Sequence, residues 1–224
     1  GLLTTSLSEM QELSKFCSKI GYQLNTHAIG DSANKIILNL YKNEYLINKD
    51  HRWRIEHAQV IDRNDLHFFS DFAIFPSVQP THAVSDQRWA ESRLGKERIK
   101  GAYAYKSLLE AFGMVAIGTD FPIELTNPFL TIFAATQRKN KDNLPNDGFL
   151  IEEQLSLEQV LKGMTIWAAF AAFEENNKGT ISKGKEATFV MVKRPIRNET
   201  TFRPNFAYST YISGKMVYKE DELN

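Results

Sequence analysis

Short runs of strand-forming residues alternate with longer helical segments along residues 1–173 of this 224-residue chain. The first helical pattern starts at a Ser6–Glu9 capping box and ends at Gly21. Because strands separated by helices usually pair in parallel, the alternation predicts an α/β fold with a parallel sheet. Strands are predicted at residues 22–26, 52–56, 73–78 and 114–117.

The end of the chain has a different pattern. The strongest helical segment runs from a Ser156–Gln159 capping box to Phe170. Beyond it, residues 187–192 and 207–218 are of β type, without a helix between them. We therefore predict two units, an α/β part over residues 1–178 and a small β appendage over residues 179–224.

Charge and cysteine content exclude several classes of protein. The chain has 27 basic and 27 acidic residues, so it has no basic surplus with which to bind nucleic acid. No stretch approaches the roughly 18 consecutive apolar residues that span a bilayer. The single cysteine, Cys17, excludes an internal disulfide and fits a reducing compartment. We expect a cytoplasmic protein that binds neither nucleic acid nor membranes.

Three polar residues fall at the carboxyl ends of predicted strands: His27, His57 and Asp120. In a parallel α/β fold those ends converge on one face, where active sites lie. Two imidazoles and a carboxylate suit zinc, iron or manganese. A structural role for each residue alone is the alternative, and Asp120 also fits a turn. The sequence therefore predicts a shared metal site, and separate structural roles for the three residues stay open as the alternative.

Other polar residues accompany the predicted strands. Gln79 and His82 follow the third strand, and His82 is placed to contact substrate or metal. The polar segment 81–100 after them is long enough to predict an active-site loop. Glu56 is expected to point toward the helix layer, because it alternates with His57. His51 is expected on the surface.

Four short sequence motifs occur in order along the chain: THAIGD at residues 26–31, RIEHAQ at 54–59, SVQPTH at 77–82 and IGTDFP at 117–122. Together they resemble the amidohydrolase superfamily, specifically the amidohydrolase family 3 branch that includes N-substituted formamide deformylases. The resemblance implies a metal-dependent hydrolase built on a (β/α)8 barrel with a small β-sandwich. Its metal ligands would be His27, His57 and Asp120. From their position after the third strand, we expect Gln79 and His82 to contact the substrate.

The same resemblance implies a mechanism and a cofactor. A divalent metal, expected to be zinc, would activate water for attack on a small-molecule substrate with an amide-type, non-peptide C–N bond. Asp120 would accept the proton of the water and pass it to the departing amine.

The chain departs from the family pattern at its beginning. Family members have a His-x-His pair at the end of the first barrel strand, and this pair does not occur here. The segment that starts at Gly1 resembles the family segment that follows the fourth barrel strand. A whole barrel takes about 250 residues. We therefore expect the C-terminal half of a barrel plus part of the β-sandwich, inactive by itself, which either self-associates or pairs with a missing N-terminal half.

Two alternatives remain open from the residues alone. One is a non-catalytic α/β module that uses segment 81–100 to bind a ligand or partner. The other is a phosphoester hydrolase with a similar metal site. The second is disfavoured because few basic residues flank the predicted site, the nearest in that segment being Arg88 and Arg98.

Overall fold

A parallel sheet of four strands forms the centre of the molecule in the computed structural model, which describes residues 3–47 and 49–220. The strands are hydrogen-bonded in chain order. They are β1 (Asn25–Ala28), β2 (Arg54–His57), β3 (Phe75–Val78) and β4 (Ala116–Ile117). This sheet confirms the predicted α/β class, and each strand overlaps or adjoins its predicted position.

Helices connect the strands of the parallel sheet and continue after its last strand. They are α1 (Leu7–Ile20), α2 (Asp31–Tyr45), α3 (His67–Asp71), α4 (Pro80–Arg98), α5 (Tyr105–Phe112), α6 (Pro128–Gln137), α7 (Leu157–Gly163) and α8 (Ile166–Ala171). Short 3-10 turns lie at Arg63–Asp65, Ile99–Gly101 and Ile151–Glu153. Within the described residues, no helix is long and apolar enough to cross a membrane.

The predicted β-type end of the chain forms a separate antiparallel sheet. Its strands are β5 (Phe189–Val192), β6 (Ala207–Ile212) and β7 (Lys215–Lys219), in that order. Gly214 turns the chain between the last two strands with a φ of 78°. The last four residues of the predicted appendage, like the first two residues of the chain, lie outside the described residues.

The helix layer covers one face of the parallel sheet. The Tyr41 hydroxyl of α2 lies 2.6 Å from Oγ1 of Thr26 in β1, and its ring packs edge-on against Trp53. Ile55 of β2, the register partner of Thr26, is completely buried on this face. These contacts hold the sheet against the helices. The residues that alternate with Thr26 and Ile55 along the strands lie on the opposite face.

The opposite face of β1 and β2 is polar. His27 is exposed there, and its register partner is Glu56. The Glu56 carboxylate accepts a hydrogen bond from Arg54 Nε at 3.0 Å. The expectation that Glu56 points toward the helices is therefore wrong: period-2 alternation places it beside His27, and His57 departs from that alternation because its φ is 76°.

Local helix signals were reliable where side chains cap the backbone. Ser6 and Glu9 form the predicted capping box of α1, and Gly21 ends that helix in the left-handed conformation. The Ser156–Gln159 box likewise starts α7. The predicted continuous helix to Phe170 is interrupted, however, because Thr165 has a non-helical backbone (φ −130°, ψ −93°) and α8 starts after it.

Two further expectations are wrong. Segment 81–100 is largely helical, because Pro80 provides a favourable first turn for α4 and small residues such as Ala83 and Ala90 face the core. His51 is buried, with Nδ1 accepting a hydrogen bond from the Trp53 backbone N–H at 2.8 Å. Its Nε2 lies 3.1 Å from the Phe72 carbonyl oxygen, so both ring nitrogens are used internally.

Candidate metal centre

The carboxyl ends of the four parallel strands meet at one edge of the sheet. His57 is the last residue of β2 and pairs in register with Ala28, the last residue of β1. Gln79 follows β3 directly, and Asp120 lies three residues after the end of β4. His82 lies in the first turn of α4. His27 is the residue before Ala28 in β1, so all five predicted site residues lie at the same edge, as parallel topology requires.

Three of these side chains form a group with the geometry of a metal site. One potential ligand atom from each of His57, His82 and Asp120 lies within 4.8 Å of the other two. His82 Nε2 and Asp120 Oδ2 are 3.2 Å apart, and the two imidazole centroids are separated by 5.7 Å. Both histidines are buried, whereas the Asp120 side chain is partly exposed. A cation placed among them would therefore be reachable from one side.

His27 lies next to this group without belonging to it. Its ring packs edge-on against His57, with the centroids 4.5 Å apart and the planes at 77°. The ring is exposed on the polar face of the sheet. The metal-binding role of His27 stays a prediction, and its contact with His57 places a third imidazole at the rim of the group.

Gln79 orients the ring of His57. The Nδ1 atom of His57 lies 2.9 Å from the side-chain oxygen of Gln79, which is itself buried. Because an amide oxygen only accepts, Nδ1 carries the proton and Nε2 is left with its lone pair. Burial lowers the pKa of His57, and the neighbouring His27 lowers it further. The neutral imidazole, which is the form that binds metals, is favoured.

This contact gives Gln79 a role that sequence reasoning did not supply. Its predicted contact with substrate stays a prediction, while its side chain is already engaged with His57. The buried amide fixes both the tautomer and the direction of the imidazole.

Glu124 also contacts this group, and sequence reasoning did not identify it. It lies on the loop between Asp120 and α6, and its Oε1 is 3.3 Å from Nδ1 of His82. The hydroxyl of Ser85 donates to the same oxygen at 2.6 Å. The signal available in the sequence was an acidic residue four positions after Asp120, in a loop otherwise rich in apolar residues.

Another carboxylate lies on the same helix as His82. Asp86 accepts a hydrogen bond from the Tyr103 hydroxyl at 2.8 Å and a longer one from the Gln59 amide at 3.4 Å. Burial raises the pKa of Asp86, although the Tyr103 hydrogen bond opposes this effect. The helix α4 therefore brings an imidazole and a half-buried carboxyl group to one wall of the site.

Backbone strain is concentrated where the side chains converge. His57 and Ala58 are consecutive residues with positive φ values of 76° and 42°, and Asp120 has a φ of 59°. Non-glycine residues rarely adopt this conformation, and such strain is typical of functional sites. The chain bends sharply after β2 and β4, and those bends direct the side chains of His57 and Asp120 toward the group.

A family model described as the amidohydrolase family matches residues 1–218. The chain belongs to the amidohydrolase family. The resemblance stated from its motifs is thereby confirmed. Protein LONG AFTER FAR-RED 3 of Arabidopsis thaliana is 34% identical over 227 residues, which cover 97% of this chain and 38% of that protein. N-substituted formamide deformylase of Arthrobacter pascens is 26% identical, covering 96% of this chain and 40% of the relative.

A solved structure agrees with the fold. A crystal structure of an uncharacterized metal-dependent hydrolase from Pyrococcus horikoshii superposes with a TM-score of 0.74 and 27% identity. The match covers 84% of this amidohydrolase chain and 37% of that structure. The chain therefore spans about two fifths of the length of the relatives it matches. The parallel sheet of the α/β part and the separate antiparallel sheet agree with the predicted TIM-type barrel fold.

Proposed function

We propose that this chain carries the metal centre of a hydrolase that cleaves amide-type, non-peptide C–N bonds. The observation that carries the proposal is the convergence of His57, His82 and Asp120, whose potential ligand atoms lie within 4.8 Å of one another. Family membership supports the hydrolase class, and the matched formamide deformylase supports an amide-type substrate.

The donor set fits a divalent ion, and we propose zinc. Zinc–ligand bonds of about 2.0–2.1 Å at tetrahedral angles separate neighbouring ligand atoms by about 3.3 Å. The separation of His82 Nε2 and Asp120 Oδ2, 3.2 Å, is close to that value. Burial and the neighbouring His27 lower the pKa of His57 and favour its neutral form, and the contact of Nδ1 with Gln79 leaves Nε2 available as a ligand. We keep His27, packed against His57, as a further predicted ligand.

The proposed chemistry divides between the ion and the protein. A bound divalent ion would supply Lewis acidity to the scissile carbonyl and lower the pKa of water at the site. Asp120 accepts the proton of the attacking water, since its partly exposed carboxylate can face both water and substrate. The same carboxyl group then delivers that proton to the departing amine. Gln79 and His57 keep their fixed orientation throughout.

The alternative of a non-catalytic binding module has lost its main support. It relied on segment 81–100 as a long binding loop, and most of that segment is the helix α4. For location, we propose the cytoplasm, because the buried Cys17 is a free thiol and fits a reducing compartment.

Metal content tests the proposal directly. The purified chain is loaded with Zn²⁺, and bound zinc is counted by mass spectrometry for the wild type and for His57→Ala, His82→Ala and Asp120→Asn. His67→Ala is the matched control, because His67 is an exposed histidine on α3. The proposal predicts zinc binding that the three site variants weaken and the control leaves unchanged. A folded wild type without zinc, or equal loss in the control, overturns it.

Hydrolysis is the second readout. Because we expect the chain to be inactive by itself, the assay uses the zinc-loaded full-length protein that carries it. This protein is incubated with a panel of N-substituted formamides and amides, and released amine is measured with and without a chelator. The proposed activity predicts amine release that the chelator abolishes and added Zn²⁺ restores. Release that persists unchanged in the chelator would contradict a metal-dependent reaction.

A further inference from the structure

We infer that Glu124 is a positioning residue that holds the imidazole of His82 for metal binding. This inference rests on the proposed function, because it concerns a residue that acts on the metal centre through a ligand. It assigns a role to a loop residue that neither the motifs nor the predicted ligand set include.

The geometry places His82 between two carboxylates. Its Nε2 lies 3.2 Å from Asp120 Oδ2, and its Nδ1 lies 3.3 Å from Glu124 Oε1. One ring nitrogen therefore faces the predicted metal group and the other faces away from it. A carboxylate on the far nitrogen fixes the direction of a ligating imidazole and makes its other nitrogen a stronger electron donor.

Glu124 is itself held in place, which a positioning residue requires. The Ser85 hydroxyl donates to its Oε1 at 2.6 Å. Ser85 lies one turn after His82 on α4, so the helix that carries the imidazole also carries the group that anchors its partner. The loop that carries Glu124 is thereby tied to α4 through a charge-assisted hydrogen bond.

Glu124 points inward from its loop, whereas the residues on either side of it point outward. The Glu124 side chain is 20% exposed, whereas the flanking Ile123 and Leu125 are 72% and 64% exposed. A charged residue more buried than its apolar neighbours reverses the usual preference of a surface loop. The reversal is explained if the contact with His82 determines the loop conformation.

The two buried histidines of the group are thus held by different chemistry. His57 is paired with the neutral amide of Gln79, and His82 with the carboxylate of Glu124. Removing the Glu124 carboxylate keeps all the proposed metal ligands and takes away only the hydrogen-bond partner of His82. This predicts a graded effect on metal affinity, in contrast to the loss of a ligand.

Zinc affinity measured by competition with a chromophoric chelator tests the inference on the 224-residue chain. Glu124→Ala should weaken Zn²⁺ binding by about 10–100-fold. Glu124→Gln keeps an acceptor oxygen without the charge and should lose less. Glu110→Ala, which removes an exposed glutamate of α5 paired with Lys106, is the matched control and should bind as the wild type does. Thermal unfolding followed by circular dichroism shows whether each variant is folded.

A double-mutant comparison separates positioning from general damage. In a His82→Asn background, Glu124→Ala should change the affinity by less than about twofold, because the residue acts through the imidazole. Equal affinity of Glu124→Ala and the wild type overturns the inference, and so does the same loss in both backgrounds. If the folded wild type binds no Zn²⁺, the proposed function itself fails, and that result is distinct from either of these.

Discussion

At the scale of single residues, the site depends on side chains whose partners restrict them to one role. His57 uses Nδ1 on Gln79, and His82 uses Nδ1 on Glu124, so both imidazoles present their second nitrogen to the same group. Strand ends are recognisable in the sequence, so His57 and Asp120 could be predicted as ligands. His82, in the first turn of a helix, was predicted only to contact substrate or metal. The sequence did not reveal Glu124, because a contact between a loop and a helix leaves no periodic signal.

Asp120→Asn tests the proposed proton acceptor. Asparagine has nearly the same shape and tolerates the positive φ of 59° at this position, so the fold should be retained. It cannot accept a proton from water, and hydrolysis should fall by at least about 10²–10⁴-fold. Amine release and thermal unfolding are measured on the same samples. A variant that is folded and fully active would refute the role of Asp120.

His51 predicts a pH dependence of folding. Burial lowers its pKa below the usual 6.5, so the unfolded chain binds a proton more readily than the folded one. The stability that His51 contributes is therefore complete above about pH 6.5 and is lost as the pH falls toward the folded-state pKa. Urea unfolding at about pH 7.5 and pH 5.5 should show a larger loss for the wild type than for His51→Asn, by up to about 1.4 kcal/mol per pH unit.

The exposed His67 provides the control for that comparison. His67→Asn is measured under the same conditions. Parallel curves for the wild type and His51→Asn would show that His51 does not titrate differently in the folded state.

At the scale of elements, the parallel strands and the capped helices were predictable, and interruptions of helices were not. Ser6, Gly21 and Ser156 act through local hydrogen bonds or local backbone geometry that the sequence displays directly. The helix α4 was missed because charged residues cover its outer side and its buried residues include few large apolar side chains. The interruption between α7 and α8 at Thr165 was missed because apolar residues continue at helical spacing across it.

The close packing of α7 on β4 predicts that a larger residue at Gly163 destabilises the fold. A Cβ atom at Gly163 would lie 2.7 Å from Ile117 Cδ1 and 2.9 Å from the Val115 carbonyl oxygen. Gly163→Ala should therefore destabilise the fold by about 1–3 kcal/mol, despite the higher helix propensity of alanine. Gly30→Ala is the matched control, because nothing lies within 4 Å of its added Cβ. Equal urea midpoints for Gly163→Ala and the wild type would show that this contact is not tight.

At the scale of the whole molecule, the parallel sheet is bounded by two edge strands. Within the described residues, β1 and β4 occupy the edges, and the face that carries His27 is not covered by the helix layer. The relatives that the chain matches are about two and a half times as long. The topology of this part was predictable from its alternating pattern, whereas the covering of its inner face depends on contacts that no local pattern encodes.

Unpaired edges and exposed apolar side chains predict self-association of this chain. Phe121, Ile123 and Leu125 are each more than 60% exposed on the loop after β4, close to one edge. Such surfaces favour association between copies. Light scattering coupled to size-exclusion chromatography should give a mass above 25.6 kDa that rises with concentration. Ile123→Lys should reduce that rise, and a wild-type monomer at all concentrations would contradict the prediction.

The most direct test of the central claim is anomalous diffraction at the zinc edge from crystals of the zinc-loaded protein. The account predicts an anomalous peak about 2.0–2.2 Å from a nitrogen of His57, a nitrogen of His82 and an oxygen of Asp120. A peak elsewhere on the molecule, or these three side chains directed away from one another without a peak between them, would contradict it.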